Sequence, residues 1–265
     1  MNFNRKVVFD GLRTALKPKA GFNDQQVTSI AAIVDEFEKR KLPDVRWLAY
    51  ILATVWHEAR FISQPEIGRG KGKKYGKPHK QTGKVYYGRG FSQITWYDNY
   101  LKFEKTLGQP LTTNPDLALI VPVAVQILFE GMMTGVTAKD SFTKYQLHDF
   151  FNDKKDDPIG ARRIINGVDK NKLIAGYHGK ILSVLKEAVQ VEARQVEFDN
   201  PNPPKPEPQP SNAGKAVGGG AAVVVGGGAA AVAAGWPWER VLLGVGIVAA
   251  LVVIGFIVFK LRKQS

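Results

Sequence analysis

The chain has 265 residues, enough for one or two domains with a real core, and a formal net charge of +13. Beyond Asn200 stand six Lys/Arg against two Glu, so +9 of that charge falls on residues 1–200, a basic surface suited to a polyanion: nucleic acid, anionic lipid headgroups, or a bacterial wall with carboxylate stems and phosphate polymers. The absence of cysteine excludes a disulfide scaffold, Cys-ligated zinc and every cysteine nucleophile.

The opening stretch, MNFNRKVVFDGLRTALK, holds no uninterrupted apolar run and does not read as a secretory signal. Asn23-Asp24 ahead of QQVTSIAAIVDEFEKR predicts a capped amphipathic helix with Val27, Ile30, Ile33, Val34 and Phe37 on one face. Asp44 is placed to cap the next helix, VRWLAYILATVWHEARF, which is apolar nearly all round and is therefore expected in the core. From Gly68 to Gly90 the chain turns Gly- and Lys-rich and is expected to be loop. Asp116 to Met133 predicts a second buried helix with Pro122 shaping its middle, and the segment from Gly160 to Gln195 at least one more. The expected fold class for residues 1–200 is mainly α.

The composition then changes. Residues 201–215 open with PNPPKPEPQP, six prolines in ten, a stiff spacer of roughly 30 Å if fully extended. Residues 216–235 contain only Ala, Gly and Val, and the segment 216–240 ends on Trp236, Trp238 and Arg240. Residues 241–259, VLLGVGIVAALVVIGFIVF, are 19 uncharged apolar residues, long enough for a transmembrane helix through a lipid bilayer. Trp236 and Trp238 read as interfacial anchors, and the tail 260–265 carries Lys260, Arg262 and Lys263, which favours a cytoplasmic C-terminus. Either 216–235 forms a weak first span, making a hairpin with both ends cytoplasmic, or the span sits in a virion membrane. The expected location is thus membrane-anchored, in a host inner membrane or a virion membrane.

Two carboxyls stand out. Glu58 closes the apolar helix in Trp56-His57-Glu58-Ala59-Arg60, where partial desolvation favours the protonated form that a general acid needs. Glu66 follows eight residues later in QPEIGRGKGKKYG, where glycines and lysines imply a solvated, electropositive setting for an ionised carboxylate. Such a pair is what glycosidic cleavage requires, although two glutamates at this spacing are common. The block Tyr86-Tyr87-Gly88-Arg89-Gly90-Phe91-Ser92-Gln93-Ile94-Thr95-Trp96-Tyr97-Asp98-Asn99-Tyr100 adds compact hydrogen-bonding groups and flat aromatic faces for sugar rings, with paired glycines that admit close approach. It reads equally as an aromatic-rich turn in the core. No His-Glu-x-x-His zinc site forms, since Phe61 occupies the second histidine position, and neither metal nor cofactor is expected.

WHEAR, the GRGKGKKYG loop, YYGRGFSQITWYDNY and ARRIINGVDKN resemble glycoside hydrolase family 19 over roughly residues 20–200, and within it the phage and bacterial endolysins, relatives of plant chitinases. The resemblance implies a lysozyme-like, chitinase-like helical domain that cuts β-1,4 links in peptidoglycan glycan strands, for host lysis or for wall penetration during infection, with inversion at the anomeric carbon. It implies Glu58 as general acid and Glu66 as the base that activates water. By the same likeness Gln93 and Thr95 orient that water and the second carboxylate, and Asn99 and Asn166 bind substrate; Tyr87 and Trp96, from their residue type, are expected to offer flat faces to sugar rings. The segment after Glu58 lacks the Thr-Gly-Gly pattern of plant enzymes, and there is no Cys-rich chitin-binding module. A true chitinase, a non-catalytic wall-binding or structural virion protein on the same fold, and a nucleic-acid binder remain as alternatives. The last rests on charge alone and finds no docking motif, so no nucleic-acid partner is expected.

Overall fold

Asn4 accepts a hydrogen bond from the Val7 backbone N–H and opens helix α1 (Arg5–Leu16), which buries Val8, Leu12 and Leu16. In this computed structural model, which describes residues 1–133 and 142–198, five further α-helices follow. Helix α2 (Asp24–Lys39) starts in a capping box, Asn23 and Gln26 each taking up the other's orphan backbone N–H. Its face is the one predicted: Ile30, Ile33, Val34 and Phe37 are buried and Val27 is half-buried. Helix α3 (Val45–Ala59) is capped by Asp44, whose carboxylate accepts the Arg46 N–H at 2.9 Å. Every residue from Trp47 to Trp56 is buried, as expected of a helix apolar all round.

Helix α4 (Tyr97–Leu107), helix α5 (Val121–Met132) and the long helix α6 (Asn171–Phe198) complete the set. α6 lies across both α1 and α3, while α2 packs against α3 and α5. The resulting core joins Leu12, Phe37, Leu48, Ile51, Leu128, Phe129, Ile174, Ile181 and Leu185. Each such fully buried side chain contributes on the order of 1.5–3 kcal/mol of transfer free energy. A smaller cluster under α4 holds Tyr86, Ile94, Tyr100, Phe103, Leu111 and Ile127. The described strands are two-residue pieces, β1 (Phe151–Asn152) and β2 (Lys155–Asp156), paired antiparallel and tied to α3 by the Trp47 indole N–H donating to the Phe151 carbonyl at 3.0 Å. The described chain is mainly α.

One expectation is corrected. Asp116 to Met133 is not one helix bent at Pro122. Pro115–Leu119 is a short 3₁₀ turn, the chain extends at Ile120, and α5 starts afresh at Val121. Pro122 sits in the first turn of α5, where its missing N–H leaves no hydrogen bond unmade. The linker 201–215, the segment 216–240, the span expected at 241–259 and the tail 260–265 all lie outside the described residues. Among the described residues no helix is long and apolar enough to cross a membrane.

His178 on α6 gives the fold a pH dependence. It is 3% exposed, lies against the rings of Tyr50 and Phe151, and its Nε2 has no hydrogen-bond partner among the described residues. Burial pushes it below the usual histidine value, so the folded state keeps it neutral while the unfolded chain protonates near pH 6.5. Its contribution is therefore fully present above about pH 6.5 and is lost as pH falls from there toward the lower folded value. Urea midpoints measured from pH 7.5 to pH 5 should fall more steeply for the wild type than for His178→Phe; parallel curves would contradict this.

Candidate active site

The site is built where three short segments meet, and the first of them is the exit from α3. Arg60 and Phe61 both adopt left-handed backbone (φ 50° and 61°), which stops the helix directly after Glu58 and Ala59. That conformation is costly for a side chain bearing Cβ, and it is held by burial. Phe61 is fully buried between Phe22 and Trp56, and the Gln26 side-chain amide donates to the Arg60 carbonyl at 2.8 Å. The chain leaving this turn reaches Glu66, whose backbone N–H donates to the Gly88 carbonyl at 2.7 Å. The segment carrying both glutamates is thus fastened at one end to α3 and at the other to the YYGRG block.

Arg89 shapes that block. Its side chain is 5% exposed, and its guanidinium donates to the carbonyls of Val85 and Tyr87, to the Tyr100 hydroxyl and to the Asp116 carboxylate. The same guanidinium lies 3.5 Å from the centroid of the Tyr87 ring. One face of Tyr87, expected to meet sugar, is therefore occupied by protein. The paired glycines serve a similar end. A Cβ at Gly88 would stand 2.9 Å from Gln93 Oε1 and 3.2 Å from Glu66 Cβ, and one at Gly90 (φ 78°) would stand 2.7 Å from the Ala118 carbonyl oxygen. The close approach that glycine permits here is to the protein's own groups.

Gln93 joins the segments. It sits at φ 52°, and its side-chain amide donates to the Gln64 and Gly90 carbonyls, both at 2.8 Å. Its N–H groups are committed to backbone, leaving Oε1, beside Gly88 and Glu66, as the group that can meet a water or a sugar. Trp96 is also held at positive φ (69°), is 48% exposed, and meets Tyr75 edge to face at 5.4 Å. Thr95 is half-buried and its carbonyl accepts from the Asn99 amide at 2.8 Å in the first turn of α4. Four non-glycine residues in the left-handed region, Arg60, Phe61, Gln93 and Trp96, thus flank the two glutamates, and strain of this kind persists where surrounding contacts over-determine a site.

The two carboxylates have different neighbours. Glu58 accepts a hydrogen bond from Arg162 Nη1 at 2.5 Å, the arginine side chain being 4% exposed and the glutamate 23%. Arg162 also donates to the Asp169 carbonyl, and its own carbonyl accepts from the backbone N–H of Asn166, which is exposed. The neighbourhood of Glu58 is therefore a buried cation rather than the apolar surroundings expected from sequence. Next to it, burial lowers the His57 pKa and keeps the imidazole neutral, with Nδ1 unpartnered among the described residues. Glu66 is half-buried rather than solvated. Its Oε2 accepts from the Tyr75 hydroxyl at 3.1 Å, while Oε1 is enclosed and has no partner among the described residues. Burial, then the bond to Glu66, raises the Tyr75 pKa, so the phenol stays protonated and donates.

The structure thus joins Glu66, Gln93, Tyr75 and Trp96 on one side, and Glu58 with the Arg162–Asn166 segment on the other, through the single connection 58–66. Arg162 and Tyr75 were not singled out by sequence reasoning. Tyr75 stood within the quoted loop, nine residues from its partner, and Arg162 within the ARRIINGVDKN motif.

The chain matches no established family profile. It is 37% identical over 130 residues to an endochitinase of Arabidopsis thaliana, covering 47% of this chain and 44% of that protein. A second Arabidopsis endochitinase is 37% identical over 115 residues, covering 40% and 38% respectively. The chain therefore spans less than half the length of the curated relatives it matches. Among solved structures, a bacterial family 19 chitinase aligns over 68% of this chain and 95% of its own, at 19% identity and a TM-score of 0.43. A chitinase C variant aligns over 68% and 83%, at 19% identity and a TM-score of 0.35. Over the aligned stretch this chain is similar to two endochitinases of Arabidopsis thaliana.

Proposed function

We propose that the protein is a muralytic glycoside hydrolase that cuts β-1,4 links in peptidoglycan with two carboxylates and inversion of configuration. The observation that carries this reading is the uncommitted Glu66 Oε1. A buried carboxylate oxygen left without a hydrogen bond is costly, and in a native structure it calls for a functional account. Its partner oxygen is fixed by Tyr75, so the free oxygen has a defined direction in which to take a proton from a water. Gln93 Oε1 faces the same side of Gly88 as Glu66 Cβ and Oε2, an acceptor close to this carboxylate and suited to holding a water near it.

Glu58 acts as the acid. Arg162 holds Oε1, leaving Oε2 to carry the proton that passes to the glycosidic oxygen as the bond breaks. The carboxylate formed by that transfer stands beside a guanidinium already in place, which favours the charge distribution late in the step. The exposed face of Trp96 offers a stacking surface for a sugar ring. The support for peptidoglycan is the basic surface and the endolysin-like motifs; the support for chitin as a second reading is the similarity to plant endochitinases over part of the chain. The apolar run 241–259 would tether the enzyme to a membrane, with the proline spacer setting the catalytic domain off from it.

Glu58→Gln keeps the shape and removes the proton donor, so it should lower release of reducing ends from purified peptidoglycan by about 10²–10⁴-fold while leaving the circular dichroism spectrum unchanged. Activity within about tenfold of wild type would remove Glu58 from the role of acid. Run beside it, colloidal chitin should be cut far more slowly than peptidoglycan; the reverse order would make the enzyme a chitinase.

The tether has its own test. In high salt the full chain should float with vesicles and a chain ending at Asn200 should not, because burying 19 apolar residues resists salt where a peripheral basic patch does not. If both float, or neither does, residues 241–259 are not the anchor.

A further inference from the structure

The loop that follows Glu66 carries an unusual amount of unpaired charge. Arg69, Lys71, Lys73, Lys74, Lys77, Lys80 and Lys84 are all exposed, and none of them forms an ion pair among the described residues. No Asp or Glu occurs from Ile67 to Tyr97. Seven cations brought together without counter-charges repel one another, a cost that an ordinary solvated surface avoids by interleaving acids.

The loop is also built rather than slack. Successive turns close through Arg69 N–H to Glu66 O, Lys71 N–H to Gly68 O, Lys73 N–H to Gly70 O and Gly76 N–H to Lys73 O. Gly70 and Gly76 press together so closely that a Cβ on Gly76 would stand 1.8 Å from the Gly70 carbonyl oxygen. His79 stacks on Tyr97 at 4.0 Å with an interplanar angle of 11°, pinning the far half of the loop to α4. Tyr75, in the middle of the lysines, touches both Glu66 and Trp96. The cations are thereby fixed at the edge of the candidate site rather than spread over the molecule.

From this placement we infer that the 69–84 loop is a docking surface for the carboxylates of the peptide stems borne by the glycan strand being cut. The inference rests on the peptidoglycan reading above and deepens it. A neutral glycan has nothing for these seven cations to meet, whereas a strand with a carboxylate-bearing stem on alternate sugars presents negative charge along its length. Placed beside Glu66 and Trp96, the loop holds the strand by its stems while the sugar backbone crosses the carboxylates. Such contacts are made equally in the ground and transition states, so they act on KM and on association more than on kcat. They are screened within about 8 Å at physiological salt.

The test uses the full chain and the variant Lys71→Gln/Lys73→Gln/Lys77→Gln/Lys80→Gln, with four substrates: peptidoglycan sacculi with their phosphate polymers in place, sacculi stripped of those polymers, the stripped sacculi with their carboxylates amidated, and a neutral N-acetylglucosamine hexamer. On stripped sacculi the variant should lose about tenfold in kcat/KM, mostly through KM, in line with the electrostatic contribution to association. Amidation should lower the wild type to the same level, and the two proteins should cut the hexamer at equal rates. Equal rates on stripped sacculi would overturn the loop's role while leaving the peptidoglycan reading standing, and so would a loss seen only when phosphate polymers are left on the walls. An equal loss on sacculi and hexamer would overturn it too, as damage to the site itself. A wild type that cuts the hexamer and leaves sacculi intact would instead refute the peptidoglycan reading, and this inference with it.

Discussion

Arg89 brings a full positive charge to near-complete burial, and the arrangement of the candidate site follows from how that charge is satisfied. Its planar fork takes up the carbonyls of Val85 and Tyr87, the Tyr100 hydroxyl and the Asp116 carboxylate, binding a loop, a helix and a 3₁₀ turn to one side chain. With that loop set, Gly88 presents its carbonyl to the Glu66 N–H and Gln93 folds back onto Gln64. The position of Glu66 is therefore a consequence of hydrogen bonds made more than twenty residues further along the chain. A lysine could carry the charge but not the fork, since one ammonium cannot meet acceptors spread across the guanidinium plane.

The second determinant is the abrupt end of α3. Two consecutive left-handed residues, neither of them glycine, turn the chain immediately after Glu58, and the burial of Phe61 against Phe22 and Trp56 stabilises the turn. Glu58 is thus on a rigid helix and Glu66 on a short strained connection. That division gives the two carboxylates different surroundings, Arg162 for one and Tyr75 for the other, although only seven residues separate them in sequence.

Much of the helical frame was legible in the residues. The capping pair Asn23/Gln26, the Asp44 cap and the all-round apolar face of α3 are local signals, and each acts through neighbours within four positions. What escaped sequence reading depends on distance or on strain. α4 begins at a Trp96 held at positive φ with no capping side chain, so no start signal precedes it. α1 is only moderately apolar, and its helical character is secured by packing on α6 at the other end of the domain. In sequence Pro122 looks interior to one helix because the 3₁₀ turn before it shares the apolar character of the helix after it. In the site, sequence alone marks Glu58 and Glu66 as candidates, but the Arg162 contact to Glu58 spans 104 positions and leaves no local signal. The committed amide of Gln93 and the covered face of Tyr87 follow from backbone geometry that composition does not encode.

The proposed reaction is a direct displacement at the anomeric carbon by a water that Glu66 would activate while Glu58 protonates the leaving oxygen. The measurement that reaches it most directly is the anomeric configuration of the first products released from a β-1,4-linked glycan, followed by proton nuclear magnetic resonance before mutarotation. A single displacement predicts that α-anomers accumulate first. Initial β-anomers would mean a covalent intermediate, and 1,6-anhydro ends would mean that no water attacks at all; either result would contradict the role assigned to Glu66.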